Sequence, residues 1–342
     1  MKRVENYITK NLFLNIFSIF LPLFFIASLV FLVRVATITA VVEINFWGMM
    51  ELYFLAFPDI TFYVLPLSFF IGSTLTFARL SFDSEMVVFF SFGISPQIFL
   101  KILLKFAIAI TIILLFVSMV LIPHALQMNN VFLDKRKHEA IMNIKATEFG
   151  QKFGDWSLFV EKIEEKDNEK IFKNVALLHN KEDDEKFIFA KSASIRFNSD
   201  IVQLHLQNGS IFTYQKGNIS KVFFKNMKLN DLSGIRHRGY LNPVEYFKHS
   251  LKSEVKRNRI VTNISLSFFP AFSVFLILAI GIQNSRYGKG VVNFYIGLTI
   301  GLYYFLTFLL AKELDFFSLI SFLPLWVIIS QKIYKQKILK RY

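Results

Sequence analysis

Six stretches of this sequence continue for about the thickness of a bilayer without a charged residue. The first, from Leu12 to Val33, has roughly 22 residues, and at about 1.5 Å per residue a helix of that length spans roughly 33 Å. The other five lie between Asp59 and Arg79, Lys105 and His124, Arg259 and Arg286, Lys289 and Lys312, and Asp315 and Lys332. Because 54% of the residues are hydrophobic and only 19% are charged, a soluble globular protein is excluded. The sequence therefore predicts an α-helical membrane protein with six transmembrane helices.

Basic residues near these spans indicate the orientation of the chain. Lys2 and Arg3 precede the first span, Arg79 and Lys101 flank the second and third, and a basic cluster follows the sixth, all on one side. Positively charged loops stay in the cytoplasm, so we expect both termini there. A cleaved signal peptide is the alternative for the first span. Its apolar core would be only about 7 to 15 residues long, so we expect this span to be retained.

A long polar segment separates the first three spans from the last three. We therefore expect an N-terminal transmembrane half at 1–123, a domain across the membrane at 124–258, and a C-terminal transmembrane half at 259–342. Runs of β-branched and aromatic residues predict strands at 157–160, 187–190, 194–197, 201–206, 211–214 and 222–229. Polar residues at 198–200 predict a turn, and Asn208-Gly209 is typical of a hairpin. This spacing predicts an inserted all-β, antiparallel domain, either a β-sandwich or a jelly roll.

Several kinds of chemistry lack the residues that they need. The chain has no Cys, which excludes disulfides, thiolate nucleophiles and thiolate metal sites. Gly288-Lys289-Gly290 lacks the upstream Gly and the following Ser or Thr of a phosphate-binding loop, so we expect ATP hydrolysis in another chain. The histidines have no metal-ligand spacing, and we predict no metal, cofactor or catalytic residue. The net charge of +14 suits anionic lipid headgroups and cytoplasmic loops better than nucleic acid, which we do not expect as a partner.

Few charged residues lie at the ends of the predicted spans. Arg34 ends the first span on the outer side, and Glu51 and Asp59 come just before the second. Such residues either anchor the helix with their heads in water or belong to a functional site. Because a guanidinium binds phosphate with two hydrogen bonds, we predict that Arg34 binds lipid phosphate, with simple anchoring as the alternative. The apolar midplane favours a cavity for acyl chains over an ion path.

The predicted cytoplasmic loop that begins Arg79-Leu80-Ser81-Phe82-Asp83-Ser84-Glu85 and ends Gly93-Ile94-Ser95 has a specific pattern. Together with Leu65-Pro66-Leu67 and Gly72, it resembles the LptF/LptG (YjgP/YjgQ) family of lipopolysaccharide export permeases, and the run from Pro58 to Glu85 resembles the LptF type more than the LptG type. The turn at 284–289 is similar to the family's turn between the fourth and fifth spans, and the architecture covers essentially the whole chain. One departure is Asn263, which stands where the family often has an Arg before Pro270.

This resemblance implies a permease subunit of an ATP-binding-cassette extractor in the bacterial inner membrane. Its expected partners are a paralogous permease, a cytoplasmic ATPase dimer, lipopolysaccharide, and periplasmic bridge proteins of the same β architecture, similar to LptC and LptA. Lipopolysaccharide would leave the outer leaflet through a cavity between the two permeases. A polytopic enzyme acting on lipids and a structural or receptor-type protein with a β ectodomain are the alternatives.

Within this interpretation, Ser81 to Ile94 is the predicted coupling helix, because a helix so rich in apolar side chains is too apolar to remain in water. Glu85 is its expected main polar contact with the ATPase. A helix lying on the lipid surface is the alternative. The residues that we expect to take part in coupling are Arg79, Ser84, Glu85, Met86, Phe89, Phe90 and Gly93.

The β domain is predicted to pass lipid onward through an exposed strand edge. Val202 and Leu204 alternate with Gln203 and His205, so we place the first pair inside and the second outside, and we place Phe212 inside as well. Val202, Leu204 and Phe212 are therefore predicted lipid contacts. The alternative is a closed structural domain whose own side chains fill its core.

Overall fold

The computed structural model describes residues 2–39, 44–142, 144–148, 151–153, 156–166, 169–181, 184–198, 201–215, 218–231, 248, 251, 253–283, 289–313 and 316–339, and some side chains within these ranges lie outside the description. The chain divides into two compact units. One comprises Met1–Arg34, Glu51–Leu126 and Leu241–Tyr342, and the other comprises Val35–Met50 and Gln127–Tyr240.

The described helices supply the first unit and the helical part of the second. They are α1 (Lys2–Thr39), α2 (Phe46–Phe82), α3 (Glu85–Ser91), α4 (Pro96–Phe116), α5 (Ile122–Met142), α6 (Glu254–Phe272), α7 (Val274–Gly281), α8 (Lys289–Glu313) and α9 (Phe316–Tyr334). Two π-helical turns occur, at Val117–Leu121 between α4 and α5 and at Lys335–Leu339 after α9. Helical residues therefore continue to Met142, past the expected start of the β domain at residue 124.

Four helical stretches among the described residues are long and apolar enough to cross a membrane. They are Lys2–Thr37, Phe46–Phe82, Pro96–Leu133 and Gly290–Lys312. The pair α6 and α7 makes a fifth if it is one broken span, bent by 47°. Pro270 lies within the last turn of α6 before this bend, where its ring removes a backbone donor. The predicted sixth span corresponds to α9, whose side chains 316–321 lie outside the description, so the number six stays a prediction.

One side of α2 belongs to the main apolar cluster of the first unit. Phe62, Phe69, Phe70 and Phe77 on this helix are fully buried, and their spacing places them on one stripe. The ring of Phe70 lies 5.3 Å from that of Phe269 on α6. α2 therefore packs against α6 through this buried stripe.

The second unit contains one six-stranded antiparallel sheet in which each strand pairs with its neighbours in sequence. The strands are β1 (Gln151–Phe153), β2 (Trp156–Lys166), β3 (Glu169–Lys181), β4 (Asp184–Asn198), β5 (Ile201–Gln215) and β6 (Asn218–Asp231). The prediction of an antiparallel β domain is confirmed. The two packed sheets of a β-sandwich or jelly roll are replaced, in the described residues, by a single meander, because connections of two residues keep neighbouring strands side by side.

A row of unpaired residues crosses the sheet and explains why its strands were divided in the prediction. Glu161, Asn174, Lys191, Asn208 and Lys225 lie opposite one another between paired neighbours, but none of them belongs to a ladder pair. We call this row the crease. Asn174 and Asn208 have φ angles of 50° and 53°, in the left-handed region that Asn tolerates.

The crease changes which residues face the core. In β4, Ile188 and Ala190 are buried before the crease and Ala193 is buried after it, so the alternation shifts by one residue, as at a β-bulge. Residues on both sides of the crease join one apolar cluster. The predicted hairpin at Asn208-Gly209 is wrong, because the left-handed conformation of Asn208 serves the crease inside β5. The turn predicted at 198–200 agrees with the pairing of Asn198 and Ile201, although residues 199 and 200 lie outside the description.

Candidate functional site

The segment between α2 and α4 carries the residues that the sequence assigned to coupling. α2 continues through Phe82, so the predicted helix from Ser81 to Ile94 is shorter than expected and begins at Glu85. Ser84 has a φ of 62° and separates the two helices. Gly93, with a φ of 74°, ends α3, and a Cβ there would meet no atom of the described structure within 4 Å. Gly93 is therefore required by its backbone conformation and not by a close neighbour.

One face of α3 packs onto the helix bundle. Met86 is only 2% exposed and belongs to the main apolar cluster. The rings of Phe89 and Phe90 lie 5.9 and 6.0 Å from the ring of Phe99 on α4. These three predicted coupling residues thus attach α3 to its own chain; Met86 is buried, whereas Phe89 and Phe90 are half-buried.

The opposite face of α3 is apolar and exposed. Val87, Val88 and Phe92 are 55%, 50% and 79% exposed. Val87 and Val88 lie on α3, and Phe92 directly follows its last residue, Ser91; the three side chains form an exposed apolar surface, which we call the α3 face. The sequence pattern alone does not identify this surface, because Val87 lies three residues before Phe90 and so beside it on the helix, and only Val88 lies opposite Met86.

A row of polar side chains on α1 holds this segment. The Tyr7 hydroxyl donates to Glu85 Oε2 over 2.9 Å, Arg79 Nη2 donates to Asn11 Oδ1 over 3.1 Å, and Asn15 Nδ2 donates to Thr76 Oγ1 over 2.9 Å. Tyr7, Asn11 and Asn15 are four residues apart, so they lie on one face of α1. The prediction missed this row, although its spacing was visible in the sequence. Glu85 and Arg79 therefore both have partners within the chain.

A cavity of about 330 Å³ lies beside this row, between α1, α2 and the start of α8. Its lining includes Asn15, Arg79 and Asp83 among mostly apolar neighbours. Gly72 also lines it, and a Cβ at this position would lie 2.7 Å from the Ile16 Cα, so only Gly allows α1 to approach α2 so closely.

The remaining charged positions have different surroundings. Arg259 on α6 forms an ion pair with Asp59 on α2 at 3.1 Å. Asn263, one turn further along, is buried, and its Oδ1 has no hydrogen-bond partner among the described residues. Arg34 is exposed near the end of α1. Of the turn at 284–289 that resembles the family's turn between the fourth and fifth spans, residues 284–288 lie outside the described residues, and Lys289 begins α8.

In the sheet, the predicted lipid contacts lie on different faces. Leu204 is 1% exposed in the core. Val202 is in the same strand, but its side chain lies outside the description. Phe212 lies beyond the crease on the face opposite to Ile211, a residue that packs against the core, so its predicted inward position is wrong. The Lys221 amine lies 4.8 Å from the centre of the Phe212 ring.

His205 is half-buried beside Gln203 in β5, and the two side chains are 3.3 Å apart. Burial, together with the positive charges of Lys228 and Arg196, lowers the pKa of His205 below its ordinary value. Within the ranges that the structure describes, no three or more His, Asp or Glu side chains group as the ligands of a metal ion would.

Comparison with known families gives one match. The family described as lipopolysaccharide export system permease LptF/LptG matches residues 6–330, nearly the whole chain, and the match does not distinguish the LptF type from the LptG type. A search of curated proteins finds no match.

Proposed function

The chain belongs to the LptF/LptG family of lipopolysaccharide export permeases, and on this premise we propose that it is one transmembrane subunit of an ATP-binding-cassette extractor. Its family makes it a transport permease rather than an enzyme, and a multi-pass protein of the inner membrane. In our proposal it pairs with a paralogous permease, and both termini lie in the cytoplasm beside a separate ATPase dimer. Lipopolysaccharide leaves the outer leaflet through a cavity between the two permeases.

The α3 face is the observation that carries this proposal. Exposed apolar side chains on a short helix bind a groove of another protein more favourably than they remain in water. α3 is also held at two places, through Met86 and the two Phe rings on one side and through Tyr7 and Glu85 on another. In our proposal, a push on α3 is passed on to α1 and α4 through these contacts. Such an element suits the transfer of motion from an ATPase.

This arrangement changes the roles assigned within the coupling segment. In our proposal, Val87, Val88 and Phe92 contact the ATPase, and Met86, Phe89 and Phe90 hold the helix in place. Glu85 already accepts a hydrogen bond from Tyr7, so it positions α3 against α1 and supplies any polar contact with the ATPase from its remaining lone pairs. Ser84 and Gly93 set the two ends of the helix through their left-handed backbone.

Copurification with the ATPase tests this assignment. The permease pair would be extracted in mild detergent with Val88→Glu in this chain, and with Gln97→Glu as the control, since Gln97 is exposed on the neighbouring helix α4. We expect Val88→Glu to reduce the bound ATPase at least about tenfold, because a buried, unpaired carboxylate costs more than 1.4 kcal/mol. The control should keep full binding. Equal recovery with both variants would refute docking through the α3 face and would favour a helix lying on lipid.

The outer path of the lipid is the second part of the proposal. Lipid A carries phosphates, so an exposed guanidinium such as that of Arg34 suits its headgroup at the outer end of α1. A photocrosslinker at position 34 should capture lipopolysaccharide. Capture at neighbouring positions and never at position 34 would count against this role.

Handover to a periplasmic bridge protein completes the proposal. β6 is a 14-residue strand at the edge of the sheet, and no described strand pairs with its other side. A β partner can add a strand there and pair with the backbone N–H and C=O groups that no described strand uses. Val222, in one row with the core residue Ile188 and with Ile211, is 58% exposed at this edge, so the interior is reachable from β6.

The core of the β domain is filled, which limits how lipid can enter it during handover. Leu204 and Leu206 are each 1% exposed within a cluster that the chain fills with its own side chains. In our proposal, lipid therefore reaches Leu204 only if the side chains that cover this face of the sheet move apart. Photocrosslinkers at 204 and 222 should give lipid adducts that depend on ATP, whereas 203 should give none. The absence of adducts at 204 and 222 would make the domain a scaffold.

A further inference from the structure

The sheet has a second apolar face that the transport model does not use. Beyond the crease, the residues that point away from the core form two rows across β2 to β6. One row is Phe159, Ala176, Phe189, Ser210 and Phe223, and the other is Ser157, Leu178, Phe187, Phe212 and Lys221. We call these two rows, together with Tyr214 and Ile219 in the next row, the outer apolar face.

This face is exposed to an unusual degree for its composition. Phe223 and Ile219 are 75% and 73% exposed, and Leu178, Phe187, Phe189 and Tyr214 are exposed as well. A sheet that has one face on a core normally presents polar side chains on the other face. Apolar side chains on both faces indicate that the outer apolar face is covered by something in the working protein.

The charged residues of the outer apolar face indicate what kind of surface covers it. The first two rows contain one charged residue, Lys221. In the third row Glu185 lies opposite Tyr214, and Glu161 lies at the β2 end of the crease, so two carboxylates stand against the three amines of Lys191, Lys221 and Lys225. The Lys221 amine lies 4.8 and 4.7 Å from the centres of the Phe212 and Phe223 rings. Lys191 and Lys225 line a shallow depression of about 530 Å³ with Phe189 and Phe223 at the crease. The occupant is therefore apolar in its interior and anionic at its surface.

The area of the outer apolar face favours a lipid surface over a protein partner as its occupant. Five strands about 4.8 Å apart and three rows about 7 Å apart cover roughly 300 to 400 Å². A stable protein interface needs about 800 Å² on each side, about twice this area. A lipid surface has no such minimum, and the helices of this chain already keep the sheet tethered to a bilayer, which raises the effective concentration of lipid.

We propose that the outer apolar face binds an anionic lipid surface, with the aromatic and aliphatic side chains at the level of the acyl chains and Lys191, Lys221 and Lys225 at the headgroups. Long lysine stems lie along apolar surface and keep their amines at the polar boundary, as Lys221 does over its two rings. This binding fixes the β domain against the membrane that the helices cross. It is independent of the proposed coupling to an ATPase.

The absence of Cys from the sequence allows a direct test in the full-length chain. A single Cys would be introduced as Ile219→Cys on the outer apolar face or as Asn226→Cys, an exposed control three residues beyond Phe223 in the same strand. Each would carry a nitroxide label, with one chain in each lipid nanodisc. The measured quantity is the ratio of label relaxation by oxygen, which concentrates in lipid, to relaxation by a water-soluble nickel complex.

In nanodiscs that contain phosphatidylglycerol we expect a lipid-type ratio at 219 and a water-type ratio at 226. Lys191→Gln, Lys221→Gln and Lys225→Gln together should lower the ratio of bound to free domain on the order of 100-fold. Nanodiscs of phosphatidylcholine alone should have a similar effect. An unchanged spectrum at 226 would show that the triple variant keeps the fold.

Two results would overturn the proposal. One is a water-type ratio at 219 in every lipid. The other is a label at 219 that becomes immobile only when a second copy of the chain or the paralogous permease is added, which would identify the face as a protein interface. Ser210→Cys, which keeps every aromatic side chain of the face, repeats the measurement so that loss of Ile219 alone cannot explain a negative result.

Discussion

Two glycines show how closely the helices of the first unit approach one another. A Cβ on Gly72 would lie 2.7 Å from the Ile16 Cα, and a Cβ on Gly281 would lie 2.7 Å from the Phe77 Cβ and 3.0 Å from the Thr74 oxygen. Because the first contact is with backbone, no side chain can move aside to relieve it. Small residues at helix contacts are typical of membrane proteins, where they allow backbones to pack closely.

Gly72→Ala should therefore destabilise the bundle by about 1 to 3 kcal/mol, since α1 must move away from α2. The thermal midpoint of the full chain in detergent measures this effect. Gly301→Ala is the matched control, because a Cβ there meets no described atom within 4 Å. Equal midpoints for the two variants would mean that α1 does not pack against α2 at Gly72.

Tyr7 offers a finer test at the residue scale. Tyr7→Phe removes the hydroxyl that donates to Glu85 and leaves the ring in place. The hydrogen bond is exposed, so its loss should cost about 1 kcal/mol or less and speed amide hydrogen exchange in α3 by up to roughly fivefold. Tyr53→Phe, which removes a hydrogen bond to Ser28, should leave exchange in α3 unchanged. Equally fast amide exchange in α3 of both variants would mean that the Tyr7 hydroxyl does not stabilise α3.

His205 predicts a pH dependence in the sheet. Its pKa is lowered in the folded protein by burial and by Lys228 and Arg196, so the folded state binds a proton less readily than the unfolded state. The stability of the sheet should therefore be complete above the ordinary His pKa of about 6.5 and fall as the pH drops through the lowered folded value. Hydrogen exchange in β5 between pH 7 and 5 measures this, and His205→Gln should remove that part of the dependence. An equal response in the variant would assign the effect to other groups.

At the scale of the element, the sheet shows that the sequence predicted β-structure but not the boundaries of its strands. Hydrophobic alternation located β-structure correctly on both sides of the crease, but the shift of alternation at Lys191 and Asn208 divided single strands into separate ones. Asn-Gly is typical of a hairpin because Asn tolerates a positive φ, and the same tolerance serves a bulge in the middle of a strand. β3 was missed because Lys, Asn and His interrupt its pattern. Local sequence cannot distinguish these cases, since the partner strands decide them.

The crease gives a prediction that separates a bulge from a turn. A Cβ on Gly209 would lie 2.2 Å from the Phe189 oxygen in the adjacent strand, so Gly209→Ala should destabilise the sheet by more than about 1 kcal/mol. Asn208→Gly should be close to neutral, because Gly adopts the left-handed region readily. Chemical denaturation followed at the β domain would compare the two. A mild Gly209→Ala would contradict the observed pairing of β4 with β5.

For α3, the sequence predicted an apolar helix but not which of its apolar side chains are buried. The sequence identified an apolar amphipathic segment and its polar start, and among its apolar residues it assigned Met86, Phe89 and Phe90 to coupling with the ATPase. In the structure Met86 is buried in the main apolar cluster, the rings of Phe89 and Phe90 lie beside Phe99 on α4, and the smaller Val87 and Val88 remain exposed. A sequence pattern shows that a helix has two apolar sides, but only tertiary packing decides which side its own chain covers.

At the scale of the whole molecule, the order of elements is what the sequence predicted best. Apolar helices, a β domain in the middle and further apolar helices follow directly from the uncharged runs, and the family match spans residues 6–330. The orientation in the membrane, the partners and the direction of transport belong to the proposed function, because they depend on other protein chains and on the membrane. In our proposal, the exposed residues of the α3 face link the transmembrane helices to the ATPase, which supplies the energy for transport.

ATP-dependent release of lipopolysaccharide from proteoliposomes tests this link most directly. The vesicles would contain this chain, the paralogous permease and the ATPase, with lipopolysaccharide release to an added β-bridge acceptor measured with and without ATP. The account predicts ATP-stimulated release with the natural sequence and with Gln97→Glu, and loss of that stimulation with Val88→Glu while the permease pair stays assembled. Full ATP-stimulated release with Val88→Glu would contradict coupling through the α3 face.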